Sequence, residues 1–328
     1  MRRILFISIC AILTGLGPLF GQGMTVVGTG YSAPSIIRVA PGQITTFFVT
    51  GLQTVLSQRV AATGLPLPAT LAGISVALNQ PGPKSYPAPL LAVQQTSVCN
   101  DGGSPPSSSS RTPNCFITAI TVQIPFELPY LDPVGGLIDT EVVVSESGSA
   151  SKGFRVFPVA DNMHILNTCD SFPPVSSTTA SCRPVVTHGD GTLVTADSPA
   201  RAGEAIVVWA FGMGKAQIPI QTGVATPPPP QYAPINAMEP EYLLFDLSTN
   251  AAPKNPFFNP YPAGSHIPSF DYAGLTPGYV GLYQINVTIP KDLVTSFACG
   301  GPFQSNLTID IGLMLSFDGA PICVEATQ

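Results

Sequence analysis

Charged side chains are scarce in this chain of 328 residues. Asp, Glu, Lys and Arg together make up 10% of it, against about 25% in an average soluble domain. The 13 basic residues form no cluster, which argues against a nucleic-acid partner, because such affinity comes from neutralising many phosphates at once. Gly28–Pro34 contains a G-x-G without the βαβ context of a dinucleotide loop. The sequence therefore predicts no cofactor.

Helical patterns are missing as well. We find no stretch of about 12 residues that combines helical periodicity with capping signals. Proline and glycine are abundant instead, at 36 and 31 residues, and both favour short strands joined by sharp turns over long helices. Because 45% of the residues are hydrophobic, a chain of this length can bury two separate cores. Composition therefore predicts an all-β fold with two domains.

The amino-terminal segment has the form of a secretory signal. Arg2 and Arg3 precede a short apolar run, Ile4–Leu13, and small residues follow. A membrane anchor is the alternative, but that run is shorter than the about 20 residues that span a bilayer. We assign residues 1–23 to a cleaved signal peptide, and we expect a secreted, cell-surface or periplasmic protein without a membrane span. Cleavage removes two of the 13 basic residues and leaves all 19 acidic ones, so an anionic membrane surface is not an expected partner.

Three phrases of the sequence occur twice, in the same order. The pairs are VAPGQITTFFVTGL with ARAGEAIVVWAFGM, ITVQIPFELP with INVTIPKDLV, and TEVVVSESGSASKGFRVFPV with NLTIDIGLMLSFDGAPICVEA. In the second pair, Ile120 and Ile285 each begin a strict alternation of apolar and polar residues, which is typical of strands with one buried face. A chain that contains two copies of one fold would show three pairs of similar segments in the same order. We therefore predict two tandem immunoglobulin-like β-sandwich domains.

The echoes set the domain boundaries. The first sandwich is predicted over residues 24–160 and the second over residues 185–328, with residues 161–184 as an extended connector. Hairpin turns are predicted at Ser147-Gly148 and at Asp318-Gly319, because such residue pairs suit tight turns between strands.

Six cysteines remain after the signal segment, and an even number in an exported chain indicates disulfides. Sequence alone leaves their connectivity open. We favour sequential neighbours, each of which would add about 3 kcal/mol of stability by closing one loop. The predicted pairs are Cys99–Cys115, Cys169–Cys182 and Cys299–Cys323. No metal site is predicted, because CxxC is absent and none of the three histidines, His164, His188 and His266, stands at zinc-ligand spacing from a cysteine pair.

Two long stretches resemble a known module. THGDGTLVTADSPARAGEAIVVWAFGMG and AGLTPGYVGLYQINVTIP are similar to the uncharacterised C-terminal module of secreted acidobacterial proteins, the Solibacter-type domain, which is related to IPT/TIG immunoglobulin-like folds. LAGISVALNQ, APLLAVQQ and ITAITVQIPFELP resemble a more divergent member. The chain departs from the module at Thr249–Ser269, at the loop between Cys99 and Cys115, and at NMHIL in place of a Pro-Gly turn. The resemblance implies export and an immunoglobulin-like sandwich, and it implies no catalytic residue.

An aromatic, proline-rich insertion at residues 253–272 is the main surface candidate. Aromatic rings on a stiff loop can stack on sugars or dock a partner with little loss of ordering entropy. The alternative is that the rings fold back and cap the sandwich. Trp209, the only tryptophan, lies in mid-strand and is predicted to be a core residue. The candidate ligand-binding residues are Phe257, Phe258, Tyr261, His266 and Tyr272.

Catalytic patterns have little support. Ser149 and Lys152 form an S-x-x-K, but that motif needs a helical turn, and here it falls in a glycine- and serine-rich hairpin. His188 and Asp190 could form a general-base pair, yet G-x-S-x-G is absent and Asp190-Gly191 suits a tight turn. The acidic residues that could bind calcium are scattered rather than arranged in a D-x-D-x-D run. They are Asp132, Asp139, Glu141, Asp190 and Asp310.

The sequence therefore predicts an exported, non-catalytic protein for extracellular or cell-surface interaction, in adhesion or in envelope or matrix assembly. Its expected partner is an envelope protein or a polysaccharide, and not a nucleic acid. Two alternatives stay open: a carbohydrate-binding protein that uses the aromatic loop at residues 253–272, and a hydrolase with an unrecognised site.

Overall fold

The computed structural model describes residues 24–29, 37–97, 116–151, 153–168, 170, 183–235, 243–249, 251–252, 268–299, 305–311 and 316–326. Within these ranges the regular structure consists of β-strands, with no helix, so the predicted all-β class is confirmed. None of these residues belongs to a helix long and apolar enough to cross a membrane. The predicted signal peptide lies outside the described residues.

Strands β1 to β12 form what we call the first unit. Their bounds are β1 Thr25–Thr29, β2 Arg38–Val39, β3 Ile44–Thr50, β4 Val60–Ala61, β5 Thr70–Leu71, β6 Ile74–Gln80, β7 Lys84–Ala88, β8 Leu90–Ser97, β9 Phe116–Gln123, β10 Thr140–Glu146, β11 Ser149–Ala150 and β12 Phe154–Pro158. One sheet has the strand order β1-β3-β9-β8-β4. The other has the order β2-β12-β10-β6-β5, with β11 beside β10 and β7 beside β6.

Strands β13 to β23 form the second unit. Their bounds are β13 His164–Ile165, β14 Val186–His188, β15 Ala200–Arg201, β16 Ala205–Phe211, β17 Ala233–Pro234, β18 Leu243–Leu247, β19 Ser269–Leu275, β20 Tyr283–Thr288, β21 Leu307–Ile311, β22 Ser316–Ala320 and β23 Val324–Glu325. The largest sheet has the order β13-β16-β20-β19-β17, with β14 also beside β16. Two smaller sheets are β18-β21-β22 and β15-β23.

Each unit has its own hydrophobic core, which lies between its sheets. In the first unit, alternation along β3 and β9 turns Phe47 and Ile120 inward, where they meet Val76 of β6 and Val142 of β10. In the second unit, Val208 and Ile285 of the large sheet meet residues of β18 and β21. This period of two along each strand is what lets one face of a sheet be apolar while the other meets solvent.

The repeated phrases form matching ladders. Ile120 pairs with Phe47 across β9 and β3, and Ile285 pairs with Val208 across β20 and β16. All four residues are fully buried. The equivalence that the sequence predicts for Ile120 and Ile285 is therefore confirmed.

The turns that lead into these ladders match as well. The N–H of Gly42 donates to the carbonyl of Ile124, and the N–H of Gly203 donates to the carbonyl of Ile289, at 2.9 Å in both cases. Both glycines have φ of 79°, a conformation that residues with a Cβ rarely adopt. The glycines are thus needed at the same place in each unit.

A β-bulge is also repeated. The register between β8 and β9 shifts between Leu90 and Ala92, and the register between β19 and β20 shifts between Phe270 and Tyr272. β2 runs parallel to β12, just as β15 runs parallel to β23. The two units therefore share one topology in their central strands.

The two predicted hairpins have different outcomes. Ser147-Gly148 makes the turn between β10 and β11, with φ of 47° and 89°, so this prediction is confirmed. The turn at Asp318-Gly319 is wrong, because both residues lie inside β22 and pair with Ile309 and Thr308 of β21. A Cβ at Gly319 would collide with the hydroxyl of Ser305. This glycine therefore permits close packing of a strand rather than a turn.

Part of the predicted connector belongs to the second unit. β13 pairs with Phe211 and Ala210 of β16, and Met163 and Ile165 are buried in the second core. The units also touch directly, since the Gly223 N–H donates to the side chain of Gln123 at 2.6 Å.

The disulfide Cys299–Cys323 is confirmed, with its Cα atoms 4.5 Å apart. It ties the segment after β20 to the beginning of β23. The other four cysteines, Cys99, Cys115, Cys169 and Cys182, lie outside the described residues.

Candidate functional site

Most of the predicted aromatic site cannot be placed. Phe257, Phe258, Tyr261 and His266 lie outside the described residues. Tyr272 lies in β19, opposite Asn286 of β20. Because Ala273 and Ile285 point into the core, their neighbours Tyr272 and Asn286 point to the opposite side of the sheet.

That side of the large sheet carries a group of rings and amides, which we call the outer face. The pairing places Trp209 opposite Gln284 and Val207 opposite Asn286 across β16 and β20. The same pairing continues from Gln284 to Gly274 and from Asn286 to Tyr272 on β19. The outer face is formed by Val207, Trp209, Tyr272, Gly274, Gln284 and Asn286, with Tyr232 beside it.

The ring of Tyr272 lies against the sheet. Its hydroxyl donates to the carbonyl of Leu275 at 2.9 Å, and a Cβ at Gly274 would be 2.5 Å from that hydroxyl. The ring therefore extends along β19 over a residue that has no side chain. The partly exposed ring of Tyr232 packs edge-on beside it, with centroids 6.1 Å apart. Burial raises the pKa of the Tyr272 hydroxyl, so the ring is neutral at physiological pH.

Trp209 belongs to this face, and its prediction as a core residue is wrong. Its inward neighbours on β16, Val208 and Ala210, are fully buried, whereas Trp209 itself is half-buried. The indole N–H donates to the Thr187 hydroxyl of β14 at 3.1 Å. The indole is therefore fixed across the neighbouring strand and still reaches solvent.

Two amides lie between the rings. The Gln284 amide donates to the side-chain oxygen of Asn286 at 3.3 Å. This bond leaves the Gln284 oxygen as an acceptor and the Asn286 NH₂ as a donor for another partner. Both side chains are half-buried, so the face offers paired hydrogen-bonding groups beside two positioned rings.

His164 is surrounded by carboxylates. Its Nε2 donates to Asp170 at 2.7 Å and its Nδ1 to Asp318 at 3.1 Å. Asp318 also accepts from the N–H of Ile165 at 2.7 Å. Burial alone would lower the pKa of His164, but hydrogen bonds to the two carboxylates and their charge raise it to about 9. His164 is thus a cation at neutral pH and holds β13 against β22.

Asp161 lies close to this cluster. Burial raises the pKa of Asp161, a hydrogen bond with Ser316 lowers it and the charge of Asp310 raises it, and together they bring it to about 7. The Ser316 hydroxyl accepts from the N–H of Met163 at 2.5 Å. Asp161 therefore titrates near neutrality at the start of the second unit.

His188 and Asp190 do not form the general-base pair that is the less favoured interpretation of THGDG. Its Nδ1 lies 2.5 Å from Glu204, and its Nε2 lies 3.1 Å from the carbonyl and 3.2 Å from the hydroxyl of Ser198. The hydrogen bond to Glu204 is the main cause of a raised pKa of His188. Asp190 instead accepts from the N–H and the hydroxyl of Thr192, as expected for a tight turn.

The remaining catalytic and calcium candidates do not form one cluster among the described residues. Ser149 lies in β11 and pairs with Glu146, and Lys152 lies outside the described residues. Asp132 accepts from two N–H groups of its own turn, and Asp139 pairs with Arg155 at 2.6 Å. Across the described ranges, no three His, Cys, Asp or Glu side chains converge as ligands of one metal ion.

Sequence reasoning missed the outer face as a unit. Gln284 and Asn286 stood out as the polar positions of an alternating strand, but nothing local paired them with Trp209. The apolar stretch AIVVWAF gives no sign of which side is buried. Ser198 and Glu204 were missed because their contact with His188 depends on a loop that folds back.

We compared the chain with protein-family models and with curated proteins. No protein-family model matches the chain, and no curated protein matches it. The resemblance to the Solibacter-type module therefore stays a prediction.

Proposed function

We propose that this chain is an exported, non-catalytic interaction protein built from two immunoglobulin-like sandwiches, and that it binds an extracellular or cell-surface partner. The observation that carries the proposal is the outer face, where Trp209 and Tyr272 are held in place beside two amides. Rings that are already fixed lose little entropy on binding. The described charged clusters, in contrast, are engaged in contacts within the chain, as at His164.

The immunoglobulin-like assignment is supported by the duplicated ladder. Each unit encloses one core between mainly antiparallel sheets, and the last strand of each unit pairs in parallel with an early strand. Sandwiches of this type present loops and open sheet faces for binding. The export part of the proposal is supported by residues 1–23 and by the disulfide Cys299–Cys323, since disulfides persist in oxidising compartments.

A retention experiment tests this function. Mature protein, residues 24–328, is immobilised and offered whole cells, envelope protein extracts and a set of glycans. We expect at least one of the three to be retained, and we expect retention to fall in the variant Trp209→Ala/Tyr272→Ala. The variant Phe317→Ala, which removes an exposed ring from β22, is the matched control. Absence of retention in all three arms would contradict the proposal.

Acyl hydrolysis is a second candidate, favoured by the chain of contacts from Ser198 through His188 to Glu204. A serine nucleophile needs a neutral histidine as its base. In this chain Nε2 of His188 also contacts the Ser198 carbonyl, and a carbonyl can only accept a hydrogen bond. Nε2 therefore carries a proton in this contact and cannot take one from the Ser198 hydroxyl. The contacts then hold the loop that contains Ser198 in place. Labelling with a fluorophosphonate probe that disappears in Ser198→Ala would establish the hydrolase. No labelling, together with no turnover of short-chain esters, would remove it.

A further inference from the structure

We propose that the outer face of the second unit binds a neutral polysaccharide, with Trp209 and Tyr272 stacking on sugar rings and with Gln284 and Asn286 bonding to their hydroxyls. This inference rests on the proposed function and names its ligand class. It uses a different surface from the loop at residues 253–272, except for Tyr272.

The two rings are held in place before a sugar binds. Sugar rings have apolar C–H faces, and aromatic rings bury such faces well when they present a flat side. Tyr272 is held along β19 by its bond to Leu275, and Trp209 is held across β14 by its bond to Thr187. Both rings therefore occupy fixed positions before any ligand arrives, which reduces the entropic cost of binding.

The spacing of the rings favours a polymer over a single sugar. Trp209 lies on β16, and the ring of Tyr272 covers Gly274 on β19, which is two strands away through Gln284. Two strand spacings amount to about 10 Å. One sugar ring cannot reach both sites, so the ligand crosses the strands with at least two units.

The amides meet the requirement for hydroxyl recognition. Gln284 lies between the two rings, and Asn286 lies beside it on the same strand. An amide both donates and accepts hydrogen bonds, as a sugar hydroxyl does. The two amides are joined by a hydrogen bond, which fixes their orientation.

The charge of the outer face and of the whole chain favours a neutral polysaccharide over an anionic one. The residues of the outer face are Val, Trp, Tyr, Gly, Gln and Asn, and none of them is ionised at neutral pH. The whole chain has a formal net charge of −6, which disfavours an anionic polymer by general repulsion. An uncharged face on an acidic protein is complementary to a neutral chain.

The first unit supplies an internal control. At the positions of the same ladder it has Phe48 opposite Ala119 and Ala92 opposite Thr121. Phe48 thus corresponds to Trp209, Ala119 to Gln284, Thr121 to Asn286 and Ala92 to Tyr272. The same topology forms without the amides and without the tyrosine. Their presence in the second unit is therefore not required for the fold.

The test is affinity electrophoresis of the mature chain in gels that contain soluble polysaccharides. The neutral set comprises mixed-linkage glucan, xylan, glucomannan and dextran, and the anionic set comprises polygalacturonate and alginate. We expect retardation by at least one neutral polymer, with little change between low and high salt. The triple variant Tyr272→Ala/Gln284→Ala/Asn286→Thr, which copies the first unit, is expected to bind at least tenfold more weakly. Trp209→Phe is expected to weaken binding less than Trp209→Ala.

Folding of the variants is checked by circular dichroism and by the thermal midpoint. The variant Thr46→Ala on the first unit's outer surface serves as the control and is expected to bind like the parent chain. Retardation by anionic polymers alone, or retardation that the folded triple variant retains, would overturn the inference.

The outcome also separates this inference from the proposed function. If the triple variant loses retention of cells or envelope protein while no polysaccharide is bound, the ligand class is wrong and the interaction function stands. If the parent chain retains neither cells, envelope protein nor glycan, both proposals fail.

Discussion

The two units share a ladder and differ in what they place on its outer side. Ile120 and Ile285 occupy the same position in their cores, and the glycine turns and the bulges coincide. On the opposite side, Ala92, Ala119 and Thr121 of the first unit are replaced by larger polar or aromatic residues in the second. The core-facing side is held by packing, whereas the opposite side differs between the units. Ala92 and Ala119 of the first unit are buried, while their counterparts Tyr272 and Gln284 are half-buried. The difference therefore marks the outer face of the second unit as the surface with a specific role.

The units also differ in how their edges are fixed. In the first unit, β1 pairs with β3 over several residues. In the second unit, the two-residue strand β13 takes the corresponding place beside β16 and is fastened by His164 to Asp318 of β22. A short strand supplies few ladder bonds, so charged hydrogen bonds supply the remaining attachment.

Replacing the matched core residues Ile120 and Ile285 by alanine should have the largest effect on stability. It tests whether the two cores are alike. Ile120→Ala and Ile285→Ala should each lower the free energy of unfolding by about 2–5 kcal/mol, because each leaves a cavity in a closed core. Urea denaturation measures both. Val294→Ala, at a highly exposed site, is the control. A cost below about 1 kcal/mol for either isoleucine would mean that the two cores are not alike.

His164, which is hydrogen-bonded to Asp170 and Asp318, gives the second unit a clamp between β13 and β22 whose strength depends on pH. The first unit contains no histidine. The pKa of His164 is about 9 in the folded protein, above the ordinary histidine value of 6.5, so the folded state binds the proton more tightly than the unfolded state. The clamp's contribution is complete below about pH 6.5 and is lost as pH rises through about 9. A shift of this size corresponds to about 3 kcal/mol. His164→Gln should remove the part of the decline that His164 contributes and leave the part due to His188, which pH-dependent urea denaturation will measure.

Asp161 acts in the same direction at lower pH. Its folded pKa of about 7 exceeds the ordinary aspartate value of 3.8, so stability falls as pH rises from about 4 to about 7. Asp161→Asn should abolish this earlier decline and leave the later one unchanged. If stability in the parent chain rises between pH 4 and 9, the described surroundings of both residues are wrong.

Many features of the fold were predictable because they are local. Alternation in INVTIP fixes which residues face inward, and Ser147-Gly148 fixes a turn through the backbone freedom of glycine. Asp318-Gly319 has a similar appearance but lies in a strand, because the Asp318 side chain is needed by His164 and Ile165. Sequence could not reveal that requirement, since His164 lies in a different strand and far away along the chain.

The outer face was predictable only in part. Tyr272 was singled out because it is one of the aromatic residues of the insertion at residues 253–272. Trp209 was assigned to the core because AIVVWAF is apolar at every position, and period-two reasoning then has no polar residue to mark the wet side. Only the register between β16 and β20 shows that Trp209 and Gln284 share a face.

In the turns before β3 and β16, a side chain accepts a hydrogen bond from a backbone N–H three residues earlier. Removing these side chains should have the smallest effect on stability, and it compares the two units at matched positions. The Gln43 side chain accepts from the N–H of Ala40 at 2.8 Å, and the Glu204 side chain accepts from the N–H of Arg201 at 2.9 Å. Each of these hydrogen bonds should contribute about 1 kcal/mol, and Glu204→Ala also removes the hydrogen bond to His188. We expect Gln43→Ala to lower the stability more than Glu204→Ala. Gln43 is buried, so water cannot replace its side chain as the acceptor for the Ala40 N–H. Thermal midpoints will rank the two variants, and the reverse order would contradict the assigned burial.

Trp209 allows the most direct test, because it is the single tryptophan of the chain and its fluorescence reports on the outer face alone. The measurement is acrylamide quenching of that fluorescence in the native mature protein, with and without a bound neutral polysaccharide. We predict partial quenching in the free protein and protection in the complex. Emission that is strongly blue-shifted and resistant to acrylamide in the free protein would place Trp209 in the core and contradict the account.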